Sequence, residues 1–151
     1  MSNWKKDLKE TVEPSIDYSK YDLAAMIKQA KEHDACDHEI DRLSQFPSVD
    51  EALKNGSASM WCLWYALIVM KSRWEDVEHI IAKDPTYGFF YARDIIKDRW
   101  DMGEVYILKD ACESYFYAVK IIKDRWPEAE SIHALNPDWK KRYEAHFNCK
   151  I

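Results

Sequence analysis

Three stretches constrain this chain more than any other feature: YALIVMKSRW at 65–74, YARDIIKDRW at 91–100 and YAVKIIKDRW at 117–126. They recur every 26 residues, and cutting the chain at that period gives units 57–82, 83–108 and 109–134. Six columns are identical in all three units: Tyr65/Tyr91/Tyr117, Ala66/Ala92/Ala118, Lys71/Lys97/Lys123, Arg73/Arg99/Arg125, Trp74/Trp100/Trp126 and Glu78/Glu104/Glu130. A fixed period of this length marks tandem supersecondary units that bury their apolar faces against one another.

Each unit reads as a helix pair. Asp84-Pro85 and Asn136-Pro137 put a side-chain acceptor just before a proline, whose missing N–H costs nothing in a first helical turn. In the second unit Tyr87, Tyr91 and Ile95 then fall four residues apart, flanked by Phe90, Ala92 and Ile96, which gives one broad apolar helical face. The pattern predicts a first helix to about residue 98, with Lys97 and Arg99 in its last turn, where cations offset the helix dipole. Pro127, Glu128 and Glu130 suit the start of a short second helix. With only three Gly and five Pro in the chain, short helical connections are favoured over a turn-rich β fold. The expected fold is all-α: a right-handed solenoid of short helix pairs with an N-terminal capping helix.

The flanks extend the pattern. NPDWKKRYEAHF (136–147) begins like another first helix, with Tyr143 in the tyrosine column and Glu144 in the alanine column, so 135–151 reads as a C-terminal half-repeat cap. Residues 37–56 read as a degenerate unit in which Ser48 and Glu51 form a capping box and Asn55-Gly56 stops a helix. Within the N-terminal segment 1–36, SKYDLAAMIKQAKEHDA (19–35) carries Leu23, Ile27 and Ala30 on one face and reads as the capping helix. At 151 residues, 47% of them apolar, the chain is expected to fold as a single domain, 1–151.

The repeated columns admit structural and functional readings. Each Tyr-Ala pair suits close helix packing, with the alanine letting a neighbour approach; the alternative is a tyrosine row lining a ligand groove. The tryptophans read as plugs at the helix–helix junction, able to bury area while the indole N–H reaches a carbonyl. Lys71, Arg73, Lys97, Arg99, Lys123 and Arg125 form the polar ladder and are the candidate binding residues. Such a row can grip carboxylates or phosphates; alternatively Asp98, Asp124 and the recurring glutamates hold it in internal salt bridges.

Other chemistry finds little support. A net charge of −5 argues against a general nucleic-acid binder. Lys5 and Lys6 are not followed by an apolar run, and the apolar stretch at 60–70 is too short to span a bilayer, so an unsecreted cytoplasmic protein is expected. Cys36, Cys62, Cys112 and Cys149 show no CxxC pairing and read as reduced thiols. His33, Cys36 and His38 have metal-like spacing without a second ligand pair, so no metal is assigned. Neither a phosphate-cradling glycine loop nor a nucleophile–base motif is present, so no cofactor or catalytic residue is assigned and the chain is read as non-enzymatic.

KDPTYGFFYARDIIKDRW followed by WPEAE resembles a helix-pair repeat, of the form KDPxxAYxYAxxIIKxRWPEAE, found in uncharacterised proteins of large tailed bacteriophages. The likeness covers 83–134 well and 57–82 partly. The first unit lacks the KDP opening, and the second has Asp101, Met102 and Gly103 where PEA would stand. The resemblance implies a viral accessory protein in a bacterial host cytoplasm. A protein-binding module engaging a host or phage protein is therefore the expected function, with a phosphate binder along the Lys/Arg edge as the alternative.

Overall fold

A computed structural model describes residues 13–151, and among these it contains ten α-helices and no strand. The first twelve positions of the N-terminal segment, with Lys5 and Lys6, lie outside the described residues. Helix α1 (Leu23–Glu32) begins where the Asp22 carboxylate accepts the N–H groups of Ala24 and Ala25. It is shorter than the 19–35 span expected, because Tyr18–Lys20 form a separate 3₁₀ turn and His33 ends the helix. Leu23, Met26 and Ala30 are buried, a spacing of three and four residues that lays one stripe on the core.

Helices α2 (Asp37–Leu43) and α3 (Val49–Leu53) occupy the degenerate unit. The Ser48 hydroxyl accepts the Glu51 N–H at 3.3 Å, but the Glu51 carboxylate turns to Lys54, so only half of the capping box forms.

The three clear units then follow. Helix α4 (Ala58–Trp64) runs on as π-helix Tyr65–Met70, and a 3₁₀ turn (Glu75–Val77) leads into α5 (Glu78–Ile81). Helix α6 (Pro85–Tyr91) continues as π-helix Ala92–Ile96 and is followed by α7 (Asp101–Ile107). Helix α8 (Ala111–Tyr117) continues as π-helix Ala118–Ile122 and is followed by α9 (Pro127–Ala134). Asp84 and Asp110 cap α6 and α8, each carboxylate accepting two backbone N–H groups.

The π-helical endings correct the expected reach of the first helices. Each stops one residue before the repeated lysine, not near residue 98: Lys71, Lys97 and Lys123 sit in the left-handed region at φ 53°, 61° and 59°. Their N–H groups bond the carbonyls of Ala66, Ala92 and Ala118, five residues back. The lysines are therefore helix-terminating residues, and Arg73, Arg99 and Arg125 lie beyond the helices rather than in their last turns. Helix α10 (Pro137–Phe147), the final one, has no π-helical ending and terminates at Asn148, φ 48°.

One contiguous core runs from Leu23 to Tyr143. The alanines of the repeat are fully buried, as are Tyr91 and Tyr117, while Tyr65 is 8% exposed. Helices α4 and α6, then α6 and α8, then α8 and α10, pack side by side. Trp74, Trp100 and Trp126 are buried at the junctions. The indole N–H of Trp74 donates to the Tyr21 hydroxyl at 2.9 Å, not to a carbonyl. Gly103 accounts for the departure from PEA in the second unit: a Cβ there would stand 2.3 Å from Cε3 of Trp100, so the ring lies directly over the helix backbone. Among the described residues, no helix is long and apolar enough to cross a membrane.

Candidate functional site

The polar ladder is built from the irregular segment between the two helices of each unit. After the left-handed lysine the chain places Arg and then Trp, and five residues beyond the Arg a glutamate points back from the second helix. In the first unit Arg73 donates from Nε and Nη2 to the two oxygens of Glu78, both at 2.8 Å. Arg99 does the same to Glu104 at 2.8 and 2.7 Å. Arg125 donates from Nε to Oε1 of Glu130 at 2.7 Å, and its Nη2 lies in an ion pair 2.7 Å from the same oxygen. These paired bonds hold the proton on each guanidinium more tightly and raise its pKa.

The glutamates face inward and meet the next unit. Tyr91 donates its hydroxyl hydrogen to Glu78 at 2.8 Å while its oxygen accepts the backbone N–H of Trp74 at 2.9 Å. Tyr117 repeats this with Glu104 at 2.9 Å and Trp100 N–H at 2.7 Å. Tyr143 repeats it with Glu130 at 3.4 Å and Trp126 N–H at 2.6 Å. Every unit is thus tied to its successor by the same relay: Trp N–H to Tyr hydroxyl to Glu carboxylate, with Arg closing the outer side. Burial pushes the Tyr91 and Tyr117 hydroxyls well up and that of Tyr143 up to about 12, so all three remain protonated donors at neutral pH.

Glu78 is 3% exposed and Glu104 9%, and carboxylates buried so deeply are tolerated only when paired and hydrogen-bonded. The relay supplies both. Tyr65 has no preceding repeat glutamate to meet, and its hydroxyl donates to Gln29 of α1 instead. The capping helix thereby substitutes a neutral amide at the first junction.

Each residue singled out by the sequence has a definite place. Arg73, Arg99 and Arg125 are held by the recurring glutamates, whereas Asp98 and Asp124 accept the backbone N–H groups of Arg99 and Arg125, both at 2.7 Å. Lys71, Lys97 and Lys123 are exposed, and among the described residues none has a carboxylate within salt-bridge distance. Tyr91 and Tyr117 are buried between units, whereas Tyr65, at the first junction, borders an apolar cavity beside α1. His33 and Cys36 lie in the connection before α2, and His38 lies in its first turn; among the described residues no three His, Cys, Asp or Glu side chains converge on a metal-sized position.

Two features escaped the sequence reading. One is the inter-unit bond from each tyrosine, for which the signal was present: Tyr and Glu are both invariant columns. The other is an apolar cavity of about 190 Å³ between α1, α2 and α4, walled in part by Met26, Ala30, Leu43 and Trp64. Two of its three walls, α1 and α2, lie outside the clear units, so no periodicity announces it. No protein-family model, curated protein or solved structure matches the chain.

Proposed function

We propose that the chain is a non-enzymatic protein-binding module: a right-handed solenoid of 26-residue helix pairs that presents a repeated outer surface to a partner protein. The observation that carries this reading is the engagement of the ladder's arginines. Each guanidinium spends its fork on a glutamate of its own unit, so the geometry best suited to gripping phosphate is already occupied. The buried titratable groups Glu78, Glu104 and His133 are likewise enclosed in contacts between helices, which suits a scaffold better than a reacting centre. With the resemblance to the bacteriophage repeat, the partner is a host or phage protein met in a bacterial cytoplasm.

The phosphate-binding alternative is favoured by one observation, the exposure of Lys71, Lys97 and Lys123. Replacing Arg73, Arg99 and Arg125 together with Gln separates the two readings. The protein-binding reading predicts a lower melting temperature, because buried glutamates lose their counter-charge, and no micromolar binding of a DNA or RNA oligonucleotide by either form at physiological salt. Micromolar, salt-sensitive oligonucleotide binding by the wild type, lost in the variant while the melt stays intact, would overturn it.

A further inference from the structure

Five of the six invariant columns have a structural task. Tyr, Glu, Arg and Trp form the relay between units, and Ala is fully buried at the helix contact. The lysine column ends the π-helical segments through its backbone, but its side chains have no such task. Lys71, Lys97 and Lys123 are exposed, show no ion pair among the described residues, and adopt the left-handed conformation at φ 53°, 61° and 59°. Glycine or asparagine takes that conformation more readily than lysine does. The chain itself follows that preference outside the ladder, where α10 ends on Asn148 at φ 48°.

A residue that recurs three times in a backbone state that disfavours it, with no side-chain ion pair among the described residues, is kept for its side chain. We propose that Lys71, Lys97 and Lys123 form a docking row for an extended acidic segment of the partner protein, one carboxylate per unit. The claim rests on the protein-binding reading and names the chemistry of the partner.

The geometry sets the match. The π-helical segments that end at these lysines pack on one another from unit to unit, which brings the three termini side by side. Neighbouring packed helices lie roughly 8–10 Å apart, so successive ammonium groups recur at about that interval. In an extended polyproline-II segment, with three residues per turn and a rise of about 3.1 Å, side chains three residues apart share one face about 9 Å apart, so acidic residues at every third position meet one lysine each. Nucleic acid fits less well. Its charge density far exceeds one per unit.

The test is fluorescence anisotropy with two probes of equal charge: a labelled peptide with glutamate at every third position, and a labelled single-stranded oligonucleotide. Wild-type protein should bind the peptide more tightly than the oligonucleotide, and rising salt should weaken binding. The combined variant Lys71→Asn, Lys97→Asn, Lys123→Asn should bind the peptide at least about tenfold more weakly, with an unchanged or higher melting temperature. Equal peptide binding by variant and wild type would overturn the proposal, as would preference for the oligonucleotide or binding of neither probe. A lower melting temperature with binding retained would also overturn it, showing that the lysines serve only to offset the helix dipoles. Failure here leaves the protein-binding reading standing, because that reading is judged separately by the arginine variant.

Discussion

A single hydroxyl in each unit, that of Tyr91, Tyr117 or Tyr143, accepts a backbone N–H from one segment and donates to a glutamate on the next helix. The left-handed lysine makes this possible by turning the chain sharply enough for Trp N–H to face the following unit, at a cost of about 1–2 kcal/mol for a residue bearing a Cβ. Gly103 shows how local the fit is. Alanine normally gains about 1 kcal/mol over glycine inside a helix, but here its methyl would enter the Trp100 ring, whose nearest atom is 2.3 Å from the Cβ position. Gly103→Ala should therefore destabilise the protein by about 1–3 kcal/mol, the range for overpacking a filled site, read as a lower urea midpoint. A raised midpoint would mean that Trp100 turns away at little cost. Gly103 was visible in the sequence as a departure from the repeat. Its reason was not, because ring orientation is a property of packing and leaves no mark on spacing.

Among the elements, the proline-marked helix starts were legible and the ends of the repeated first helices were not. Asp84-Pro85 and Asn136-Pro137 combine a capping acceptor with proline, and helices begin there. The endings were misplaced because a π-helical segment keeps the same apolar residues as an α-helix while its bonds shift from four residues to five. The contact of α8, α9 and α10 carries a pH dependence. His133 of α9 is fully buried, stacks on Tyr143 of α10 at 4.7 Å and approaches Ser114 and Tyr115 of α8, with Glu130 one turn earlier on its own helix. Burial holds its pKa down to about 4, although Glu130 opposes the shift, against an ordinary value of 6.5. Between these values the unfolded chain binds a proton that the folded chain does not, so stability falls as pH drops through this window. The loss at the acid end is on the order of 3–4 kcal/mol, at about 1.4 kcal/mol per pKa unit. His79, lowered chiefly by burial, adds in the same direction. Urea midpoints compared at neutral pH and about pH 5 should therefore drop more for the wild type than for His133→Gln. Equal drops would place the pH dependence elsewhere.

For the whole molecule, the all-α class followed from composition and helical spacing, since both depend only on residue type and position. The six ladder positions stood out in the sequence, but not the difference between them: the arginines are closed by Glu78, Glu104 and Glu130, whereas the lysines remain exposed. Period alone could not separate them, because structural and surface residues recur equally in a tandem array. The apolar cavity beside α1 stayed hidden for the opposite reason, arising where the repeat has decayed.

If each unit is held by its neighbours through one interchangeable relay, a whole unit can be deleted without loss of the fold. Removing 83–108 joins Ala82 to Lys109 and brings Tyr117 into the place of Tyr91, opposite Trp74 and Glu78. Circular dichroism with thermal melts should then show a shorter, helical chain that unfolds cooperatively, whereas removing thirteen residues from within that span should abolish the transition. Equal loss of cooperative melting in both deletions would contradict the account.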